Sequence, residues 1–360
     1  MKSRKMFIKV LLAVLMSVAG FQAKASSSDE GGEEKKKFNP GPFILEHIAD
    51  SYDWHILTYK EYPVAVPLPV IVYSERSGLH VFMSSKFYHG QRSHDGFSIA
   101  PEGHPNKGKI VENATGERPK LDLSITKNVF ALFVNAGILM WIFISIAKVY
   151  VRKGNKAPSG FQSWLEPVIL FVRDDIARPT IGHTYERYMP YLMTLFFFIL
   201  VNNLMGLIPI FPFGANVTGN IAVTMVMALI TFIISLCVSN RYYWIHMFNT
   251  PGVPWWLKIP VPLMPFTEVL GFINKPLVLM IRLFANITGG HIVMLGFFSL
   301  IFLFGSMNMA LGYGVSVVSV FFTVFMTFLE LLVAFIQAYV FTLLSALYFS
   351  MAAPDGHHIK

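Results

Sequence analysis

Between Lys275 and Asp355 the sequence holds only two Asp, Glu, Lys or Arg residues, Arg282 and Glu330, each inside a long apolar run (276–304 and 314–353). Runs of this length are long enough to cross a bilayer as helices. A guanidinium cannot shed its proton to escape hydrocarbon. Unpaired at a bilayer centre, an arginine costs at least ~2.5–3.5 kcal/mol. Arg282 therefore reads as a functional charge facing protein or water. The competing reading is an arginine near a helix end that snorkels to the headgroups. More than twenty residues without a fixed charge come after Arg282, which argues against it.

Composition agrees with a membrane protein. Charged residues are 14% of the 360-residue chain and hydrophobic ones 54%; soluble domains average about 25% charged. The net charge of +8 would suggest nucleic acid or acidic lipid in a soluble protein. Here the basic residues flank apolar segments, so topology explains them better and no nucleic acid is expected. The single cysteine, Cys237, excludes an internal disulfide and lies in an apolar run, where packing is its simplest role.

Residues 1–25 carry Lys2, Arg4, Lys5 and Lys9, then an apolar stretch, then Ala23-Lys24-Ala25, the layout of a secretory signal peptide. An uncleaved anchor helix is the alternative; either would export the segment after it. Residues 26–37 form a charge-blocked linker with nothing to bury. Residues 38–127 read as a small exported α+β segment, with helical spacing at 43–56 and a hairpin of 64–73 with 79–87 about Arg76-Ser77-Gly78. His47, His55, His80, His89, His94 and His104 lie here without a metal-ligand spacing, so scattered surface histidines are expected and no metal.

The fold class expected is an all-α integral membrane protein over 128–353, with a tail at 354–360. Spans are placed at 128–151, 189–211, 217–238 and the two long runs. Residues 163–176 set Trp164, Val168, Phe171 and Val172 against Glu166, Arg173, Asp174 and Asp175, an amphipathic interfacial helix. The loops at 152–187 and 241–258 hold the basic residues, whereas those at 209–219 and 305–313 hold none. Five spans with an exported N-terminal domain and a cytoplasmic C-terminus satisfy both the signal peptide and the positive-inside rule.

Helix arithmetic sorts the polar residues. Glu268, Lys275 and Arg282 recur at seven-residue steps, drifting about 20° each, and Asn286 continues that face. His291 lies about 180° round from Arg282 and roughly 13.5 Å along. Glu330 and Gln337 share a face of the last span. Folding the two runs antiparallel matches His291 with Glu330 and Arg282 with Gln337 about a turn near 310, bracketed by Gly305, Gly312 and Gly314. A His–Glu pair can pass protons, whereas arginine cannot. Helix–helix hydrogen bonding alone is the bland reading of Asn286 and Gln337. Gly289-Gly290 before His291 leaves room for close helix approach or water.

These residues carry a resemblance. PLVLMIRLFANITGGHIV (276–293) closely resembles the arginine-bearing helix of the a subunit in the membrane sector of F-type, H⁺-transporting ATP synthase, and LLVAFIQAYVFTLLSALYFSMA (331–352) resembles that family's final helix. Asn202-Asn203-Leu204-Met205-Gly206-Leu207-Ile208-Pro209 and Asn216-Val217-Thr218 add to it. The resemblance implies that Arg282 is the essential arginine, Gln337 its glutamine partner, and Asn286 the asparagine one turn on. Glu268 and Lys275 match polar positions towards the cytoplasmic side. His291 and Glu330 exchange the glutamate and histidine of many bacterial members, as mitochondrial members do. It further implies a proton-translocating stator subunit of the inner membrane, forming two aqueous half-channels against a ring of small apolar, carboxylate-bearing rotor subunits. A peripheral-stalk membrane subunit and membrane lipid would be its other partners. Arg282 would hold the half-channels apart, and H⁺ rather than Na⁺ is favoured by the titratable pair.

No cofactor is expected. With no G-x-x-x-x-G-K-[ST] loop in the chain, catalytic nucleotide sites would lie on other subunits. The other classes are an ion-coupled secondary transporter with a mid-membrane Arg/His/Glu site, which usually shows internal repeats, and a membrane metalloenzyme. No repeat and no H-E-x-x-H is present. The resemblance covers roughly residues 121–353; the N-terminal signal and the exported domain at 38–127 depart from the family's common pattern, and the resemblance does not cover their role.

Overall fold

The computed structural model describes residues 39–59, 62–88, 90–101, 103–153, 160–208, 211–248 and 263–352. The signal-peptide, linker and tail readings lie outside the described residues. The described residues, all from Asn39 onward, belong to one compact unit.

Helix α1 (Pro40–Ile48) starts behind Asn39, whose side chain accepts from the Gly41 N–H. The helical spacing expected over 43–56 is corrected here: Ala49 is extended and strand β1 (Asp53–Tyr59) comes next. Its Trp-His-Ile-Leu-Thr-Tyr run is rich in aromatic and β-branched residues, and hairpin pairing with the next strand overrides the helical period. β1 pairs antiparallel with β2 (Tyr62–Pro67).

The expected hairpin is also shorter. Pro67 and Pro69 flank Leu68, so β2 ends and β3 (Pro69–Ser74) begins as a separate strand. β3 pairs with β4 (Gly78–Met83) across the anticipated turn, where Gly78 has φ +82°. Residues Ser84–Phe87 form a 3₁₀ turn rather than strand. β5 (Phe97–Ile99) pairs with β6 (Ile110–Glu112), and β7 (Leu121–Asp122) joins β3 to give the order β4-β3-β7. Among the described residues the N-terminal segment is thus one short helix and seven strands in three small sheets. Tyr52, Val70, Val72, Phe87, Phe97 and Ile110 fill its core.

This segment is fixed to the helical part. The backbone N–H of Lys127 donates to Ser51 O at 2.9 Å, and that of Asn128 to Asp50 Oδ1 at 3.1 Å, so a carboxylate caps helix α2 (Lys127–Lys153) from the opposite end of the segment. Trp54, 5% exposed, packs edge-on against Phe130 of α2 and against Phe211.

Helix α3 (Phe161–Phe171) continues through a wide π-turn at Val172–Ala177 and a short turn at Arg178–Ile181. Gly182, at φ +81°, redirects the chain before α4 (Tyr185–Gly206). Over the expected amphipathic stretch, Val172 and Ile176 are fully buried, and Phe171 meets Phe196, Phe335 and Tyr339. Trp164, one heptad before Phe171, is 80% exposed. Helices α5 (Ile221–Val238) and α6 (Arg241–Phe248) come next, with Cys237 exposed on α5 rather than packed inside.

The helical part ends in a hairpin of α7 (Leu263–Met307) and α8 (Met309–Ala352). Asn308 forms the break, its side chain accepting from the Ala310 N–H at 2.9 Å. A Cβ on Gly312 would stand 2.7 Å from the Gly305 Cα, so glycine lets the helices touch beside the turn. At 1.5 Å per residue, 45 residues make a helix of about 67 Å, longer than the ~40–45 Å of a whole bilayer. The hairpin must tilt steeply or project from the membrane. Among the described residues, five stretches are long and apolar enough to cross a membrane: Lys127–Arg152, Gln162–Gly206, Ile221–Val238, Phe266–Met307 and Met309–Ala352.

Candidate functional site

The hairpin register joins the two titratable residues. His291 Nδ1 lies 3.2 Å from Glu330 Oε1, and both side chains are largely shielded. The contact has two proton arrangements: Nδ1–H donating to an ionised carboxylate, or a protonated carboxyl donating to Nδ1. The second oxygen, Glu330 Oε2, is buried without a hydrogen-bond partner among the described residues. A buried unpaired carboxylate oxygen is costly, so it marks a place for a water or a proton.

Gly290 makes this geometry possible. A Cβ there would stand 2.5 Å from Glu330 Oε1 and about 3.1 Å from its Cγ, so only a glycine lets the glutamate lie flat on α7. Gly289 meets nothing within 4 Å. The carboxylate opens on a cavity of about 220 Å³, with Asn203, Asn286, Gly290, His291, Met326 and Glu330 in its wall. That space is large enough for several waters at about 30 Å³ each.

Gln337 does not pair with Arg282. Its Oε1 accepts from Asn286 Nδ2 at 3.0 Å, one turn nearer the hairpin tip, and Gln337 is 2% exposed. Arg282 is exposed and makes no hydrogen bond or ion pair with any described residue. The correction follows from burial: a neutral amide can enter the seam between α7 and α8, whereas a permanent cation there would lack a counter-charge. Arg282 and His291 do address different surroundings.

Towards the start of α7, Lys275 Nζ donates to the Tyr243 hydroxyl at 3.2 Å and lies 5.4 Å from the centres of both the Tyr243 and Tyr348 rings. This clamp ties α6, α7 and α8 together and keeps the ammonium oriented. Glu268 is half-buried, with no hydrogen bond or ion pair to a described residue.

A second polar cluster escaped the sequence reading as a site. Asn203 on α4 accepts from the Thr218 hydroxyl at 2.6 Å and donates to Ala334 O at 3.4 Å. Its neighbour Asn202 accepts from Asn135 Nδ2 at 2.9 Å, and the Thr288 hydroxyl donates to Gly219 O at 3.3 Å. Adjacent asparagines inside an apolar span were the signal, because amides buried there need partners from other helices. Together these bonds run from the 214–220 loop to the wall of the Glu330 cavity.

In the N-terminal segment His80 and His94 both lie 3.7 Å from Asp95 Oδ2. Among the described residues no three His, Cys, Asp or Glu side chains group as metal ligands. The side chains of His47, His55 and His89 lie outside the described residues.

Residues 129–350 match the family described as ATP synthase A chain, and residues 43–130 match a domain of unknown function. The chain is 41% identical to ATP synthase subunit a of Chloroherpeton thalassium over 66% of this chain and 69% of that one. It is 43% identical to ATP synthase subunit a 2 of Chlorobaculum tepidum over 66% and 67% respectively. The match to ATP synthase subunit a of Anaeromyxobacter sp. is 39% identical and takes in 93% of this chain and 75% of that relative.

Proposed function

Because this chain belongs to the ATP synthase A-chain family, we propose that it divides proton translocation between a fixed cation, Arg282, and a titratable pair, His291 with Glu330. Its role is that of the proton-translocating stator subunit of F-type ATP synthase. The observation that carries the division of labour is spatial. Glu330 is buried against a cavity roomy enough for several waters, with one oxygen free of hydrogen bonds among the described residues and an imidazole at 3.2 Å. Arg282, roughly 13.5 Å away along α7, emerges unpaired among the described residues on the exposed side of the hairpin.

A proton reaching the cavity binds Glu330 or His291 and moves between them through the 3.2 Å contact. From there it neutralises a carboxylate on a rotor ring lying against the α7–α8 hairpin. Much of that hairpin is apolar surface open to a neighbour: Val278, Ile281, Leu332 and Ile336 are all exposed. Arg282 faces the arriving carboxylate once its proton has left. Opposite charges 4 Å apart attract by about 4 kcal/mol at an effective dielectric of 20. That draws a carboxylate out of an apolar site without holding it permanently. Release proceeds on the Glu268 side, where Lys275 keeps a second fixed cation in its tyrosine clamp.

Asn286 and Gln337 stand between the two parts as a neutral amide pair, able to orient water but not to carry charge. A peripheral-stalk membrane subunit would hold the chain against the torque. The N-terminal segment faces the periplasm and the C-terminus the cytoplasm, in keeping with the basic loops.

Arg282→Ala in membrane vesicles tests the assignment. Synthesis of ATP from an imposed pH gradient is expected to stop, and passive proton flux to rise once the nucleotide-hydrolysing sector is stripped. Gradient-driven synthesis at the wild-type rate refutes it.

A further inference from the structure

The three-stranded sheet β4-β3-β7 has one face on the core of the N-terminal segment and one outside. Val70, Val72 and Ser74 of β3 point inward and are buried. The outward positions of an antiparallel sheet that meets water are normally polar. Here they are Leu79, Val81 and Met83 on β4, Tyr73 on β3, and Leu121 and Leu123 on the β7 side, and all six are exposed. Leu79, Val81 and Leu123 are 63–64% exposed. Register sets them side by side: Tyr73 lies between Leu79 and Leu121, and Val81 and Leu123 flank Ile71. A contiguous apolar face of this kind marks an interaction surface.

Its place in the chain indicates what covers it. The strand after Leu121 keeps pairing with β3 as far as Ile125, whose N–H donates to Pro69 O at 3.0 Å, and α2 begins at Lys127. Pro69, opposite Met83, therefore forms the row of the sheet next to a membrane-spanning helix. The face continues into exposed apolar residues of α2, Val129 and Phe133. Trp54 and the Asp50 and Ser51 contacts fix the segment there. Successive rows lie about 6.8 Å apart, and the interfacial layer on each side of a bilayer is about 5–8 Å deep. Even with its strands upright, the sheet would place Met83 and Val81 at headgroup level.

The lower rim has the chemistry of that layer. Directly after Met83 come Lys86, exposed, and Tyr88, 56% exposed, with the Arg92 guanidinium 4.4 Å above the tyrosine ring. No Asp or Glu occurs between residues 83 and 93. Tyrosine with neighbouring cations is the pattern of an anchor at a membrane boundary.

We propose that this sheet face rests on the phospholipid leaflet, with Lys86 and Arg92 meeting anionic headgroups, so that the N-terminal segment docks on lipid beside α2. The proposal needs α2 to cross the membrane and does not depend on the proton-path assignments.

The test uses the intact complex in liposomes, with Cys237→Ser as background and single cysteines from Met83→Cys, Val81→Cys, Leu79→Cys and, as an exposed control, Ala114→Cys. Each carries a small fluorophore, and lipids bearing a nitroxide on the headgroup or high on the acyl chain act as quenchers. ATP-driven pumping shows that each complex is assembled. Quenching severalfold above the Ala114 control is expected at Met83 and Val81, declining towards Leu79. Lys86→Glu with Arg92→Glu is expected to weaken it in vesicles containing anionic lipid and not in neutral ones. Quenching at Met83 and Val81 no greater than at Ala114 overturns the proposal. So does a photo-crosslinker at Val81 that reacts with another subunit instead of lipid, which would make the face a protein interface.

Discussion

A single methyl group at Gly290 probes the proposed proton site. In Gly290→Ala the new Cβ would lie 2.5 Å from Glu330 Oε1, where ordinary contact begins at 3.4 Å, so the carboxylate must retreat by 3.4 − 2.5, or about 0.9 Å. Its Cγ and Cδ, at 3.1 and 3.2 Å, are also tight, so the rest of the side chain must give by a few tenths of an ångström as well. A retreat of that size opens the 3.2 Å contact with His291 to about 4 Å, beyond hydrogen-bonding range. A hydrogen bond to a charged group contributes ~1.5–3 kcal/mol. Lost from the step that passes the proton, it slows that step by about 10- to 160-fold. Gly289→Ala is the matched control, since nothing lies within 4 Å of its Cβ position. Both variants would be measured for gradient-driven ATP synthesis and its pH profile, per assembled complex. Expected are near-normal rates for Gly289→Ala and a large loss with an altered pH profile for Gly290→Ala. Equal rates and equal pH profiles would refute the claim that the His291–Glu330 contact carries protons.

Exchanging the pair, His291→Glu with Glu330→His, keeps one imidazole and one carboxylate in contact. The double variant should retain more synthesis than either single change, and additive losses would argue against a shared site. Lys275→Met removes the ammonium from between Tyr243 and Tyr348; hydrogen exchange in the 241–248 helix should rise, and less so in Tyr243→Phe, while unchanged exchange in Lys275→Met would dismiss the clamp. In the N-terminal segment, burial and then the 2.5 Å bond to Asp122 Oδ2 raise the Tyr52 pKa well above its ordinary value of 10.0. The stabilisation from the protonated phenol is complete below pH 10 and falls as the pH rises towards the folded-state value. Trp54 fluorescence of the full complex should therefore report alkaline loosening of this segment, with a shallower pH dependence in Tyr52→Phe; identical slopes would contradict it.

Much of the membrane part was legible because its determinants are local. A run of apolar residues fixes a helix wherever it is placed in a bilayer, and the 3.6-residue period fixes which side chains share a face. Two helices joined by a short turn have one adjustable register, so His291 and Glu330 could be brought together from their distances to Gly305 and Gly312. The same arithmetic failed for Gln337 by one helical turn. Asn286 and Arg282 sit on the same face and are both exposed, and only the tertiary register decides that the buried Gln337 amide meets Asn286 rather than the cation one turn before it.

The N-terminal segment was less legible. Its strands are short, and their partners lie as far off as Val72 and Asp122. Local spacing over 43–56 could not reveal that Trp54 belongs to a sheet seated on Phe130 and Phe211. The wall of the cavity likewise draws on α4, α7 and α8 at once, with Thr218 of the 214–220 loop bonded to Asn203 behind it. By itself the sequence determined that the chain is mostly apolar helices long enough to span, and brought His291 towards Glu330, because apolar length and helical period act within one segment. The tertiary structure alone decided which amide meets Gln337, how Lys275 is clamped and where the apolar sheet lies, because those depend on contacts between segments far apart in the chain.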